Sequence, residues 1–425
     1  MKIRSDVLII GSGAGGLLTA LYLAKRGKKV TVISKGYGAT AMSSGCFDIL
    51  GSVNGEIISS FREGFGALNN NHPYRVLSEN NLTRLENYLS EATNLLPEIF
   101  SSFLAGSTDN NFLVITMFGT VKPTAFVQKS MIKAIISEGS KYLFIGFRGL
   151  YDYNPALQAS MLKLSLRLFK LTNVKVDYAI IKLDHKLPSI HFLENYVRDE
   201  KRRREFISKI REVLETKNCD MALIPALFND IATINEIQNE VPLAEAPSPP
   251  PYRAGIRLNT LLHKLAEKYG VSISYISDIK PEVSGNMIQG VKAKIKNKDL
   301  PFEANNYVLA TGDLVGGGLR IHTTPDISRR IVIDSVFDTK LETLTMEEVF
   351  SNDIFSAEGQ RATRLGFRIN SSGQPVNDHG DPLYENLYAV GSVIGGYDYN
   401  VEKSGLGVVL VTSYKVAEEI IKNNG

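Results

Sequence analysis

Three glycines near the amino terminus have the spacing of a phosphate-binding turn. Gly11, Gly13 and Gly16 follow the apolar run DVLII and precede a stretch with helical periodicity. In that context Gly11 permits a tight turn, Gly13 lets the backbone approach a pyrophosphate, and Gly16 allows the helix to pack closely on the strand. The N–H groups at the start of such a helix stabilise phosphate charge. The pattern therefore predicts dinucleotide binding.

The elements around this turn predict a βαβ unit, and with it a parallel sheet. The strand DVLII leads through GSGAGG into the helix LLTALYLAKR, which Gly27 ends, and KKVTVIS is the next strand. Farther along, the segment YVLATGD at residues 307–313 predicts another buried strand that ends in a glycine turn. We expect Thr311 and Gly312 in that turn to bind the cofactor.

The residues after the second strand depart from the usual pattern. Most such folds place an acid there to bind the ribose hydroxyls, but this sequence has Ser34 and Lys35. A serine can still form a hydrogen bond with a ribose hydroxyl, and a lysine can still approach a phosphate. Dinucleotide binding is therefore still predicted, and a mononucleotide flavin is the alternative cofactor. The small and hydroxyl residues Ser43, Ser44 and Gly45 follow, and they are candidate donors to the pyrophosphate and the flavin ring.

A second glycine-rich stretch lies near the carboxyl terminus. A short strand ends at Gly391, and Gly405 and Gly407 open a helix. The N-terminus of a helix stabilises nearby negative charge, such as that on the pyrimidine side of a reduced flavin. We therefore expect these three glycines to close the same cofactor site.

The length of 425 residues indicates two or three domains. We expect a Rossmann-like α/β fold of the two-dinucleotide-binding flavoprotein type, with an inserted α+β cap or substrate domain. The flavin-binding domain takes residues 1–50 and 251–425, and the insertion takes residues 51–250.

Several local patterns support this organisation. The insertion shows helical stretches at residues 81–100 and 124–138 and a strand-like KYLFIGF at residues 141–147. The proline-rich segment at residues 246–253 predicts a connection, because proline lacks the N–H that helices and central strands require. An amphipathic helix is predicted after it, at residues 255–270.

Composition limits the possible functions. The formal net charge of +3 gives no field that would attract nucleic acid. Only two cysteines are present, Cys46 and Cys219, so we expect neither a metal site nor an iron-sulfur cluster on this chain. With no signal peptide and no long apolar segment, we expect a cytoplasmic protein that reaches a membrane only through a partner protein.

Two basic side chains are candidates for substrate chemistry. Oxidation of an alcohol requires a base, and an anionic substrate requires a guanidinium. His322, after the run VGGGLR, is the candidate base, and Arg257 is the candidate anion ligand. Ordinary surface charge is the alternative explanation for each.

Beyond these motifs, nearly the whole sequence resembles the B subunit family of anaerobic glycerol-3-phosphate dehydrogenases, within the fumarate-reductase-like flavoproteins. The segments that carry the likeness are DVLIIGSGAGGLLTALYL, SSGCFDIL, GTVKPT, GFRGLYDYNPALQASML, IPALF, PPPYRAGIRLN, VLATGDLVGGGL and LYAVGSVIGGYDYNVEKSGLGV. Their common order and spacing are far more specific than the glycine fingerprint alone.

The resemblance implies a flavoprotein that works with a separate catalytic FAD subunit to oxidise glycerol 3-phosphate to dihydroxyacetone phosphate and pass electrons to a quinone. It also implies a third, iron-sulfur subunit that anchors the complex at the inner face of the cell membrane. The family is described with FMN on this chain, but the related aspartate oxidases have the same serine-lysine-glycine and hold FAD, so we expect FAD.

Two other interpretations remain open. One is a self-contained enzyme of the succinate, fumarate or aspartate oxidase type, although the histidine motifs of that group are not found here. The other is a non-catalytic subunit that serves as an electron relay or a scaffold. The intact set of Gly11, Gly13 and Gly16 predicts flavin binding in each case.

Overall fold

The computed structural model describes residues 2–150, 153–184, 190–326, 328–353, 356 and 358–423. Tyr151 and Asp152, within the segment GFRGLYDYNPALQASML, lie outside the described residues. The strands are β1 (Ile3–Ile10), β2 (Val30–Ser34), β3 (Ser52–Val53), β4 (Glu56–Ile57), β5 (Leu104–Gly106), β6 (Phe112–Ile115), β7 (Val121–Thr124), β8 (Phe126–Gln128), β9 (Lys141–Phe147), β10 (Lys175–Ile181), β11 (Met221–Pro225), β12 (Leu243–Ala246), β13 (Ser272–Tyr275), β14 (Asp278–Ser284), β15 (Met287–Ile295), β16 (Lys298–Leu309), β17 (Leu319–Thr323), β18 (Arg329–Asp334), β19 (Lys340–Thr345) and β20 (Leu387–Ala389).

The α-helices are α1 (Ala14–Lys25), α2 (Phe61–Phe65), α3 (Pro73–Leu77), α4 (Leu82–Asn94), α5 (Pro97–Phe100), α6 (Pro155–Leu168), α7 (Ile190–Arg198), α8 (Glu200–Lys217), α9 (Ile231–Glu240), α10 (Ala254–Lys268), α11 (Met346–Val349), α12 (Arg361–Arg364), α13 (Tyr399–Glu402) and α14 (Gly405–Asn423). Short 3-10 helices cover Ala39–Met42, Lys129–Ala134 and Gly391–Val393.

The chain divides into two compact units. The first comprises residues 1–40, 48–99 and 259–425, and the second comprises residues 41–47 and 100–258. This grouping puts residues 51–99 in the first unit, whereas the sequence-based boundary after residue 50 put them in the insertion. One reason for this grouping is that α4 packs on α14. The apolar face of α4 is therefore part of the hydrophobic core of the first unit.

A seven-stranded sheet organises the first unit. Its strands run in the order β13, β2, β1, β16, β15 and β14, and β20 pairs with the last residues of β16. Strands β13, β2, β1, β16 and β20 are parallel, and β14 and β15 are antiparallel. The parallel sheet and the βαβ unit predicted from the sequence are therefore confirmed. Because parallel strands end at the same edge, the loops after β1, β2, β16 and β20 meet there.

Helix α1 packs on β1, β2 and α14. It is buried from Ala14 to Leu23, and the hydroxyls of Thr19 and Ser413 both donate to the carbonyl of Gly15, at 2.8 and 3.0 Å. The bond from Thr19 satisfies a buried hydroxyl within α1, and the bond from Ser413 fixes α1 to α14. The amino-terminal turn of α1 is therefore held on two sides.

The second unit has its own parallel sheet, in the order β10, β9, β11 and β12. The predicted strand at residues 141–147 is confirmed as β9, whose residues from Tyr142 to Phe147 are buried. Helices α6 and α8 pack on this sheet. Phe206 of α8 is completely buried and its ring stacks on that of Phe147, with centroids 5.6 Å apart.

The predicted helix at residues 124–138 is wrong. This segment forms β8 and a 3-10 helix. The N–H of Phe126 donates to the carbonyl of Phe47 at 3.1 Å, the N–H of Phe47 donates back at 2.9 Å, and β8 also pairs with β5. Backbone groups used in these pairings cannot form helical bonds, so tertiary contacts override the local helical periodicity. The helix predicted at residues 81–100 is present as α4 and α5, and the one at residues 255–270 is present as α10.

Replacing Phe206 with alanine tests the packing of the second unit. We expect F206A to lower the free energy of unfolding by about 3–5 kcal/mol, since it removes a fully buried ring and leaves a cavity. Urea denaturation followed by circular dichroism measures this loss. The control is Arg204→Ala on the same helix, whose exposed ion pair with Glu200 contributes roughly 0.5 kcal/mol or less. Equal effects of the two changes would contradict the packing described here.

Candidate functional site

The loops after β1, β16 and β20 form a glycine cradle in the first unit, defined here as Gly11–Gly16, Thr311–Gly312 and Gly391. Gly11 has a φ of +119°, and a Cβ there would lie 2.1 Å from the carbonyl oxygen of Ala310. A Cβ at Gly16 would lie 1.9 Å from the carbonyl oxygen of Gly11. These two positions therefore require glycine so that the turn, β16 and α1 can approach one another.

Gly13 differs from Gly11 and Gly16 because a Cβ at this position would not clash with the protein backbone. A Cβ there would meet only the hydroxyl of Thr40, at 3.6 Å. Gly13 is also the N-cap of α1, and no side chain caps the helix from this position. Apart from the N–H of Ala14, which Thr40 accepts, the N–H groups in the first turn of α1 receive no cap from Gly13 and lie beside the space that it leaves, which is the arrangement that a pyrophosphate requires.

Two hydroxyl groups hold this loop in place. The Oγ1 of Thr40 accepts the N–H of Ala14 at 2.8 Å, and the Oγ of Ser34 accepts the N–H of Ser12 at 3.2 Å. Ser34 donates its own hydrogen to the carbonyl of Gly36 at 2.7 Å, and Ser12 donates to the same carbonyl at 2.8 Å. The hydrogen of Ser34, predicted for ribose, is therefore used to brace the loop. Lys35 is exposed next to it.

The cradle is completed by the loops after β16 and β20. A Cβ at Gly391 would lie 3.9 Å from the Cα of Gly15, so these two loops are neighbours. The N–H of Gly391 donates to Thr412 of α14 at 3.1 Å. Gly312 has a φ of +82°, and a Cβ there would lie 3.7 Å from Ser392, beside Gly391. The structure thus brings together the predicted residues Gly11, Gly13, Gly16, Thr311, Gly312 and Gly391.

Gly407, near the start of α14, was predicted to contact the flavin, but its N–H is hydrogen-bonded within the protein. The N–H of Gly407 donates to the carbonyl of Asp48 at 2.7 Å, and a Cβ there would lie 2.2 Å from the hydroxyl of Tyr74. Gly407 therefore serves close packing, and its N–H is already used. A Cβ at Gly405 would lie 3.2 Å from the Cβ of Tyr399. Contact of Gly405 with the flavin stays a prediction.

Ser43, Ser44 and Gly45 lie in the second unit. Gly45 has a φ of +78°, and a Cβ there would lie 2.4 Å from the amide nitrogen of Gln128. That amide donates to the carbonyl of Ala254 at 2.8 Å and to that of Gly45 at 3.4 Å. The loop is thus held against the start of α10, and its role as a flavin donor stays a prediction.

Arg257 is buried and ionically paired. Its Nη2 donates to Glu245 at 2.6 Å, and the same carboxylate oxygen accepts the hydroxyl of Ser130 at 2.7 Å. Glu245 also accepts the N–H of Leu227 at 3.1 Å. Within the part of the chain that the structure describes, the Nε and Nη1 of Arg257 have no acceptor. A buried charged donor without an acceptor is costly, so an acceptor for these two nitrogens is expected. An anionic group is the acceptor that a guanidinium prefers.

His322 lies on β17, in the antiparallel sheet of β17, β18 and β19, and its side chain is exposed. It lies opposite Ile331 of β18, on a strand that begins after the loop containing Gly312. Its predicted role as a base therefore gains no support from burial or from a hydrogen-bonding partner, and it stays a prediction.

The sequence analysis missed Asp313, which follows Gly312. Its Oδ1 accepts the N–H groups of Val315 and Gly316 at 2.9 and 3.0 Å, and its side chain bonds to the hydroxyl of Tyr399. Burial and then the charge of Asp313 raise the pKa of Tyr399 well above its usual range, so Tyr399 stays a neutral donor. An aspartate followed by glycines is a turn signal that could have identified this role.

His72 is a second residue that the sequence analysis did not identify. Its Nδ1 accepts the N–H of Tyr74 at 3.1 Å, so its Nε2 carries the hydrogen and donates to Glu402 at 3.1 Å. Ser404 donates to the same carboxylate oxygen at 3.0 Å. The ring is completely buried. These bonds fix the segment before α14, and no local sequence signal connects residues so far apart in the chain.

An aromatic cluster lies at the carboxyl ends of β2 and β13. The ring of Tyr37 makes edge contacts with those of His263 and Tyr275, with centroids 5.6 and 5.8 Å apart. Tyr37 is 62% exposed and Tyr275 is 47% exposed. These rings offer a surface on which a flat heterocycle can stack.

Comparison with known proteins agrees with this geometry. Residues 6–256 and 279–408 match the family described as FAD binding domain. The chain belongs to that family. The prediction of FAD as the cofactor is confirmed, and so is the flavoprotein fold. The glycine cradle fits this cofactor, since Gly13 leaves room for a pyrophosphate at the uncapped start of α1.

The chain is also similar to curated proteins over its whole length. It is 28% identical to the B subunit of the anaerobic glycerol-3-phosphate dehydrogenase of Actinobacillus succinogenes, over 99% of this chain and 99% of that protein. It is 28% identical to the probable B subunit of the same enzyme from Halobacterium salinarum, over 97% of each chain. The resemblance inferred from the sequence motifs is confirmed.

Among solved structures, the chain is similar to the open conformation of a flavocytochrome c3 fumarate reductase, with a TM-score of 0.43 and 10% sequence identity. The match covers 99% of this chain and 78% of the fumarate reductase chain. Within the described residues, no helix is long and apolar enough to cross a membrane, and no group of three metal-binding side chains occurs.

Replacing Gly13 with valine tests the cradle. We expect G13V to lose bound flavin, because the side chain would occupy the open surface at the start of α1 while meeting little of the protein itself. The flavin absorbance per chain of the purified variant measures retention. Gly66→Ala is the control, since Gly66 has a φ of −66° and a Cβ there meets nothing within 4 Å. Full flavin retention by G13V would remove the phosphate-loop assignment.

Proposed function

We propose that this chain is the flavin-containing B subunit of a quinone-linked anaerobic glycerol-3-phosphate dehydrogenase. It acts with a separate catalytic FAD subunit to oxidise glycerol 3-phosphate to dihydroxyacetone phosphate. The observation that carries the proposal is the similarity to proteins named as the B subunit of that enzyme, which extends over 97–99% of the chain. With only two cysteines in 425 residues, the iron-sulfur clusters are assigned to a third subunit, which holds the complex at the inner face of the membrane.

The first unit supplies the cofactor site. The FAD held there would supply two-electron redox chemistry to the electron path of the complex. The first turn of α1 holds the pyrophosphate, while Ser34 and Thr40 keep the loop in its binding conformation. Tyr37 and Tyr275 offer a stacking surface for the adenine, a group that FMN lacks.

Arg257 is the residue that we assign to the anionic group of the substrate. Its pairing with Glu245 orients the guanidinium and leaves two of its nitrogens for a phosphate. A guanidinium binds phosphate oxygens in pairs, which gives both charge and direction. His322 remains the proposed base for the alcohol proton.

The division of labour between subunits gives one prediction. The purified chain should bind FAD but show little or no oxidation of glycerol 3-phosphate with an artificial acceptor, because the proposed reaction requires the separate catalytic FAD subunit. Activity should appear when the chain is copurified with its coexpressed partner subunits. Rapid turnover by the chain alone would exclude the accessory role and favour a self-contained enzyme.

The role of Arg257 gives another prediction. Changing Arg257 alone leaves Glu245 buried without its partner, at a cost of about 3–5 kcal/mol. The paired variant Arg257→Gln with Glu245→Gln avoids that unpaired charge. In the assembled complex we expect it to raise KM for glycerol 3-phosphate by about tenfold, or about 1.4 kcal/mol.

The flavin content of the paired variant controls for folding, and we expect it to equal that of the native chain. An unchanged KM in the paired variant with normal flavin content would contradict the assignment of Arg257 to the substrate phosphate.

A further inference from the structure

The sheet of the second unit has the topology of a doubly wound α/β domain. From β9 the chain passes through α6 to β10 on one side, and it then returns through α7 and α8 to β11 on the other side of β9. The direction of winding therefore reverses between β9 and β11. In open parallel sheets, ligands bind outside the carboxyl ends of the strands at such a point.

The ion pair of Arg257 lies at this carboxyl edge. Its partner Glu245 is the last residue but one of β12, the strand that pairs with β11. Glu245 also accepts the N–H of Leu227, two residues after β11 ends. The fold of the second unit therefore places this guanidinium where sheets of this kind hold their ligands.

Gln128 supplies an unpaired acceptor in the second unit. Its side chain is 1% exposed. Its amide nitrogen donates to the carbonyls of Ala254 and Gly45, and since a carbonyl oxygen only accepts, the nitrogen must face them. The Oε1 of Gln128 therefore points the other way, and no donor reaches it from the described residues. A buried acceptor left unpaired is costly, so a donor for this oxygen is expected.

Gln128 and Arg257 are held close together. Gln128 bonds to Ala254, and Arg257 follows Ala254 by three residues, so these two positions lie on one face of α10. Ser130, two residues after Gln128, donates to Glu245, the partner of Arg257. The free oxygen of Gln128 and the free nitrogens of Arg257 do not bond to each other. One acceptor and two charged donors thus remain for a third molecule.

We propose that Gln128 is a specificity residue, whose Oε1 accepts a hydroxyl of the same ligand that binds Arg257 through its phosphate. The ligand class is small phosphate monoesters that carry a hydroxyl, to which glycerol 3-phosphate belongs. Fully ionised dicarboxylates such as succinate have no donor for this oxygen. The inference rests on the proposed function, because that is where Arg257 is assigned to the substrate phosphate.

Two ligands test the proposal on the native, full-length chain with its flavin bound. Isothermal titration calorimetry compares glycerol 3-phosphate with n-propyl phosphate, which has the same three carbons and the phosphate but no hydroxyl. We expect glycerol 3-phosphate to bind at least about tenfold more tightly, because n-propyl phosphate leaves the oxygen of Gln128 unpaired. This comparison requires no substitution, so it decides the proposal even where a variant does not fold.

Replacing Gln128 with methionine provides the second readout. We expect Gln128→Met to bind glycerol 3-phosphate at least about tenfold more weakly and n-propyl phosphate as before, so that the preference disappears. Gln238→Met is the matched control, since the amide of Gln238 also donates to two carbonyls, those of Ser130 and Leu243, at 2.7 and 3.0 Å. The control should keep the preference. Flavin content measures the folding of both variants.

Three outcomes would overturn the inference. Equal affinity of the native chain for the two phosphates would mean that water pairs with Gln128, and it would leave Arg257 as a phosphate ligand. An equal loss of both ligands in Gln128→Met would assign Gln128 a purely structural role. Binding of neither phosphate would contradict the assignment of Arg257 itself. Because binding does not depend on turnover, an inactive complex whose chain shows the expected preference would contradict only the proposed reaction.

Discussion

The close approach of α1 to β1 and β16 is the constraint on which the cofactor site depends. Gly11 and Gly16 have no room for a side chain, and their contacts set the turn so that α1 begins beside the ends of three parallel strands. Only then are the N–H groups of its first turn, other than that of Ala14, directed to an open surface. Thr40 and Ser34 hold that turn in place with single hydrogen bonds.

The second unit contains a buried ion pair between Arg257 and Glu245. Both carboxylate oxygens of Glu245 accept hydrogen bonds, from Arg257, Ser130 and the N–H of Leu227, whereas two nitrogens of Arg257 have no acceptor among the described residues. Such an arrangement contributes little to stability by itself, because desolvating two charges costs about as much as their attraction returns. The two nitrogens of Arg257 that have no acceptor within the described part of the chain are the basis of the proposal that it binds an anion.

The sequence was informative where the determinants are local. The strand, turn and helix around Gly11 adjoin one another in the chain, so the periodicity of apolar residues and the positions of glycines were enough to predict them. Ser34, Gly407 and His72 could not be assigned in this way. The partner of Gly407 is the carbonyl of Asp48 and that of His72 is Glu402, each in a distant part of the chain. The helix predicted at residues 124–138 failed for the same reason, since Phe126 pairs with Phe47.

The central claim is that the first unit holds a complete dinucleotide site. Mass spectrometry of the compound released when the purified chain is denatured tests that claim most directly, together with the absorbance spectrum of the native protein. We expect a flavin spectrum and the mass of FAD at about one equivalent per chain. Release of FMN would contradict the adenine half of the site, and a colourless protein from flavin-replete cells would contradict the cofactor site as a whole.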